Sequence, residues 1–159
     1  MKFAIIAAGE GSRLAEEGIS APKPLIPLCG TAMIERLVRI FAANEAEEIV
    51  IIVNRLRPET ESFVRRLADE HPEWHLRIEV ETTPSSMHSF ARIAPLLDGA
   101  PFCLTTVDTI FREEDFRAYI AAFRSALEAG LDGLMAVTDF IDDESPLYIG
   151  TDEALNIDG

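Results

Sequence analysis

Cysteine is scarce in this 159-residue chain: Cys29 and Cys103 are the only two, too few for a disulfide framework or a thiolate metal cage. Cys103 sits in an apolar, strand-like run, where a free cysteine behaves as a small buried hydrophobe. Histidine is almost as rare. His71 and His75 flank Pro72-Glu73-Trp74 in what reads as a helix-to-strand loop, and His88 falls on a helical segment; all three are given solvated or structural roles, so no histidine base is expected. No stretch nears the ~20 consecutive apolar residues of a membrane span. Met1-Lys2 runs directly into a strand rather than a signal peptide, and the expectation is a soluble, cytoplasmic protein.

Positive charge is the third shortage. Fourteen Lys and Arg face 28 Asp and Glu, a net charge of −14, which argues against a nucleic-acid or anionic-membrane partner. The deficit is uneven. Residues 1–39 carry five basic side chains (Lys2, Arg13, Lys23, Arg36, Arg39) against four acidic ones (Glu10, Glu16, Glu17, Glu35), a surplus of one, so the other residues hold fifteen net negative charges. An acidic protein that takes up a polyanion needs local positive charge and a divalent cation to bring it in.

That one neutral segment contains Ala7-Ala8-Gly9-Glu10-Gly11-Ser12-Arg13-Leu14, then Lys23-Pro24-Leu25. The glycines follow a short apolar run, Phe3 to Ala8, where a buried strand opens into a loop whose backbone N–H groups can approach a phosphate without side-chain clash. Arg13 adds a fork of donors and Lys23 a mobile point charge. This is equipment for a polyphosphate. The run lacks the third glycine of a dinucleotide fingerprint, which disfavours a nicotinamide-dependent dehydrogenase, and it lacks the Gly-Lys-Ser/Thr ending of a P-loop.

With 48% hydrophobic residues, the chain suffices for one domain with a core. Apolar β-rich runs at Lys2–Ala8, Glu48–Val53, Leu76–Glu81, Phe102–Val107 and Gly133–Thr138 alternate with segments of helical spacing. The helical stripes are Met33, Leu37, Ile40 and Phe41; Phe63, Val64 and Leu67; Met87, Phe90, Ile93 and Leu97; and Phe116, Ile120, Phe123 and Leu127. Such alternation predicts an α/β fold, a mostly parallel central sheet with helices on both faces, and the stripes are assigned to the core. Ligands of open α/β sheets lie beyond the carboxyl ends of the strands, where the Gly9 loop and Asp108 both fall.

Gly9-Glu10-Gly11-Ser12-Arg13-Leu14, with Pro22-Lys23-Pro24-Leu25-Ile26-Pro27-Leu28 and Gly30, resembles the signature of the sugar-phosphate nucleotidyltransferases, enzymes that join a nucleoside triphosphate to a sugar 1-phosphate. Two linked motifs stand in the right order after a strand. A weaker resemblance continues, with Leu104-Thr105-Thr106-Val107-Asp108 where the family has a strand ending in a metal-binding aspartate, although Val107 stands where the family commonly has glycine. The resemblance implies a Rossmann-like, GT-A-like fold and release of pyrophosphate. It further implies that residues 1–159 form a single domain without the C-terminal part that completes the sugar side, so that nucleotide binding without efficient turnover is the rival reading. A sheet edge left open by that shortening would favour a homo-oligomer.

Carried over residue by residue, the resemblance makes Arg13 the clamp for the β- and γ-phosphates and Lys23 the charge near the α-phosphate. Gly9, Gly11 and Ser12 supply donors to the triphosphate, and Asp108 holds Mg²⁺. Spacing alone leaves Asp108 evenly divided between metal ligand and cap of the following turn. The stretch before the third helix, with Ser85 and Ser86, either frames a nucleobase or sugar hydroxyl with helix N-terminal N–H groups or caps that helix as an ST-turn. Base and sugar identity are not readable.

Overall fold

The computed structural model describes residues 1–9, 18, 21–138 and 148–157. They pack as two units, Met1–Arg117 and Ala118–Gly159. The first holds six strands: β1 (Lys2–Ala7), β2 (Pro27–Leu28), β3 (Thr31–Ala32), β4 (Glu48–Val53), β5 (Leu76–Val80) and β6 (Phe102–Thr106). Helices α1 (Met33–Ala43), α2 (Pro58–Glu70) and α3 (Ser86–Leu97) alternate with them, and α4 (Glu113–Glu128) begins there.

Four strands form one all-parallel sheet in the order β5-β4-β1-β6. Lys2 pairs with Glu48 on one side and with Phe102 on the other, which sets the register of the central strands. Parallel strands buried on both faces read as continuous apolar runs, and β1 and β4 do, with Phe3 to Ala7 and Ile49 to Val53 all buried. Strand alternation then assigns the faces. Ala4 and Ile6 with Val50 and Ile52 meet Ile93 and Leu97 of α3 on one face. On the other, the Phe3 ring lies 4.7 Å from that of Phe41 on α1 and 6.2 Å from that of Phe116 on α4. The chain therefore has the expected α/β, Rossmann-like architecture.

Phe3 is fully buried in this aromatic cluster, so Phe3→Ala is expected to cost ~3–5 kcal/mol through lost transfer energy and the cavity left behind. Urea unfolding checks it; a loss below about 1 kcal/mol, the scale of a surface substitution, would mean the cluster does not hold the sheet.

Two expectations need correction. Residues 133–138 form no strand, because an apolar run becomes one only when a neighbouring backbone takes its hydrogen bonds. Here the Leu134 carbonyl accepts the Tyr119 hydroxyl at 2.7 Å instead. Met87 is not core: it sits in the first turn of α3 and is 73% exposed, whereas Ile93 and Leu97 of the same stripe are buried. The cysteine reading holds, since Cys103 is buried and burial alone pushes its thiol up to about 11.

Candidate functional site

The carboxyl ends of β1 and β6 open side by side because the strands are adjacent and parallel. The Val107 N–H still donates to the Ile6 carbonyl at 3.0 Å, so the ladder persists to the point where Asp108 leaves the sheet. Above these ends lies a cleft of about 450 Å³. Ala8 and Gly9 border it from the end of β1, Lys23 and Pro24 from a short 3₁₀ turn, Thr83 to Ser86 from the approach to α3, and Thr106 to Asp108 from β6. Val107 is almost wholly buried and contributes an apolar patch to the lining.

Lys23 is placed by a rigid local frame. It opens the 3₁₀ turn Lys23–Leu25, with Pro22 before it and a buried Pro24 inside it, and proline fixes φ at two of these positions. The Leu25 N–H donates to the Pro22 carbonyl at 2.8 Å. Downstream, β2 and β3 form a hairpin in which Leu28 pairs with Thr31. Its two loop residues, Cys29 and Gly30, both have positive φ, at 50° and 87°, as a tight hairpin loop that follows the strand twist requires. Gly30 serves this turn, which anchors the segment carrying Lys23.

From that frame the Lys23 ammonium donates to Asp108 Oδ2 at 2.5 Å, across 85 positions of sequence. Both side chains stay more than a third exposed. Partial burial pushes the Asp108 carboxyl up, but hydrogen bonds from Lys23 and Thr106 and the Lys23 charge outweigh it and hold the group below the ordinary aspartate range. Asp108 is therefore ionised at neutral pH.

Ser85 stands at the N-cap of α3, yet its side chain makes no capping bond. Its hydroxyl lies 2.8 Å from His88 Nδ1 instead. The ST-turn reading of Ser85 is thus not realised, and the first N–H groups of α3 keep no cap from this residue. Thr83 Oγ1 and the buried Ser89 hydroxyl share a hydrogen bond of 2.6 Å beneath the loop.

Five of the expected site residues, Gly9, Lys23, Ser85, Ser86 and Asp108, border this one cleft. Gly11, Ser12 and Arg13 lie outside the described residues. Thr83, Ser89 and Thr106 also line it and carried no sequence signal, because isolated hydroxyls beside strands and helices are ordinary. Among the described residues, no group of three or more His, Cys, Asp or Glu is placed to hold an ion. No described helix is long and apolar enough to cross a membrane.

The family model of the MobA-like NTP transferase domain matches residues 3–151. Mannose-1-phosphate guanyltransferase of Eremothecium gossypii is 30% identical over 129 residues, which cover 79% of this chain and 35% of that protein. The enzyme of the same description from Gibberella zeae is 33% identical over 127 residues, covering 75% of this chain and 34% of the relative. CMP-5'-(3-aminopropyl)phosphonate synthase of Streptomyces rubellomurinus is 28% identical over 162 residues, covering 90% and 25% respectively. The chain thus spans about a third or less of the length of these curated relatives. Among solved structures, HddC from Yersinia pseudotuberculosis superposes with a TM-score of 0.62 at 19% identity, over 80% of this chain and 54% of that one, a likeness of fold.

Proposed function

This chain belongs to the MobA-like NTP transferase family, and from that premise we propose that it takes part in nucleotidyl transfer, joining a nucleoside triphosphate to a sugar 1-phosphate with release of pyrophosphate. The observation that carries the reading is the convergence of Gly9, Lys23 and Asp108 on one cleft beyond the sheet. A glycine-bordered strand exit accommodates phosphate oxygens, and an ammonium and a carboxylate at its rim supply the two charges that a metal-bound polyphosphate needs.

In this reading a phosphate oxygen of the sugar 1-phosphate attacks the α-phosphorus. One P–O bond forms there, the bond from that phosphorus to the bridging oxygen of the β-phosphate breaks, and pyrophosphate leaves with the electron pair. No general base is required, because a phosphate monoester with a second pKa of about 6 is mostly dianionic at neutral pH. Catalysis is then positioning and charge neutralisation. Lys23 faces the α-phosphate, Arg13 holds the β- and γ-phosphates, Gly9, Gly11 and Ser12 offer backbone donors, and the uncapped start of α3 with Ser85 and Ser86 borders the nucleoside.

Asp108 fits a hard divalent cation: it is an ionised oxygen donor at a strand end, and since no carboxylate cluster adjoins it among the described residues, phosphate oxygens and water would complete the shell, the habit of Mg²⁺. The ion, held by Asp108, would neutralise charge on the phosphates. Within the cleft Lys23 and Asp108 pair as opposite charges. Triphosphate and cation would separate them together, each taking one partner.

A second reading, triphosphate binding without efficient turnover, is favoured by Val107, a buried branched side chain in the cleft lining where the resemblance leads one to expect glycine. Pyrophosphate release measured with ATP, CTP, GTP and UTP against a panel of sugar 1-phosphates that includes mannose 1-phosphate, beside calorimetric titration of each triphosphate with Mg²⁺, separates the two. Release in any combination establishes transfer. Binding without release establishes the second reading, and absence of both removes the proposal.

A further inference from the structure

Asn54 is 2% exposed and is no part of the cleft lining, yet it joins the exits of three strands. It immediately follows β4. Its Nδ2 donates to the Ala8 carbonyl at 2.9 Å, at the end of β1. Its Oδ1 accepts from Thr82 Oγ1 at 2.8 Å, beyond the end of β5, and from the Leu56 N–H at 2.9 Å. These partners fix the amide orientation, since two donors face the oxygen and one acceptor faces the nitrogen.

Two of these bonds are non-local, spanning 46 and 28 positions of sequence. The local needs of the turn are met separately: the Asn54 carbonyl accepts from the Arg57 N–H at 3.0 Å and Oδ1 from Leu56, so an aspartate would close the same turn. The bond to Ala8 requires a donor and therefore an amide. It reaches the residue next to Gly9 on one wall of the cleft, while Thr82 adjoins Thr83 to Ser86 on the other.

We propose that Asn54 is a positioning residue that holds the phosphate-side wall, Ala8-Gly9, and the nucleoside-side wall, Thr83 to Ser86, at a fixed separation. The inference rests on the nucleotide reading above. A buried amide with three good partners is a stiff strut: its bond to the Ala8 carbonyl is buried, where low dielectric makes it costly to break, and part-buried bonds to Thr82 and Leu56 hold the other end of the amide. A site held by such a strut meets its ligand already assembled, which lowers the ordering cost of binding.

The test is calorimetric titration of ATP, CTP, GTP and UTP, each with Mg²⁺, into wild type, Asn54→Asp, Thr82→Val and Thr82→Ser, with affinities expressed per folded molecule from circular dichroism. Asn54→Asp keeps the shape and the turn but as a carboxylate offers Ala8 no donor, and affinity for the triphosphate that wild type takes is expected to fall by about ten- to a hundredfold, the scale of losing an outer partner that orients a binding group. Thr82→Val should weaken it in the same direction, and Thr82→Ser, which keeps the hydroxyl, should match wild type. If the folded variants bind as tightly as wild type and only their melting temperatures fall, Asn54 is a structural residue and the inference is overturned. Should Asn54→Asp fail to fold, the Thr82→Val and Thr82→Ser pair decides. A wild type that binds none of the four removes the nucleotide reading and this inference together.

Discussion

Lys23→Met is expected to lower turnover by about a hundredfold or more while leaving the fold intact. The methionine keeps most of the stem and deletes the charge, and removing one preorganised charge contact to a phosphoryl-type transition state costs ~3 kcal/mol. Stability should barely change, because an ion pair with both partners more than a third exposed contributes no more than about 1 kcal/mol. The loss should sit mainly in kcat, since the charge is needed most where the α-phosphate gains a fifth oxygen. Pyrophosphate-release kinetics with urea unfolding of the same preparation measure both quantities. Full activity in Lys23→Met would remove Lys23 from the mechanism and take the charge argument for the cleft with it. On the proposed role of Arg13 as phosphate clamp, Arg13→Ala is expected to act on the same scale, and Arg13→Lys should not rescue, because a point charge does not reproduce bidentate geometry.

The parts of this site that the sequence made legible are those where chemistry and position coincide. A glycine after an apolar run, a lysine between prolines and an aspartate closing a β-rich run each carry a local reason for their placement, and parallel pairing of β1 with β6 brings the first and last together. Strands β1, β5 and β6 were each read one residue too long, since Ala8, Glu81 and Val107 lie at the exits; Glu81 and Val107 still donate one ladder bond each. Where the sequence misled, the missing information was tertiary. Gly133–Thr138 has the composition of a strand but no ladder, and composition cannot report whether a partner backbone is present. Met87 shares the spacing of Ile93 and Leu97 but lies at the first turn of its helix, past the reach of the sheet. Asn54 was invisible for a related reason: an asparagine after a strand reads as a turn residue, and only the fold brings Ala8 and Thr82 to it.

Asp108→Asn is expected to move two binding constants in opposite directions. The asparagine preserves the shape of the β6 exit and removes one full negative charge. Mg²⁺-dependent binding of the triphosphate should weaken beyond the ~10–100-fold typical of residues that merely orient a metal ligand, and turnover should fall with it, partly recoverable by raising the metal concentration. Binding of inorganic pyrophosphate in the presence of a chelator should instead tighten, because Lys23, which donates to Asp108 at 2.5 Å, no longer has an anionic partner to leave, and a neutral amide is the weaker acceptor. A turn-capping aspartate paired with Lys23 predicts the second change but not the first. If the magnesium dependence of binding and turnover matches wild type, the carboxylate is a turn residue and the metal role is lost. The pH dependence of stability supplies an independent sign. Lys23 and Thr106 hold the folded pKa of Asp108 below its ordinary value despite partial burial, so its contribution to stability is fully present above the unfolded pKa of about 4 and disappears as pH falls through the lower, folded one. The stability gap between wild type and Asp108→Asn should therefore be constant near neutrality and close only in strong acid, where wild-type Asp108 is protonated in both states and, like the asparagine, carries no charge.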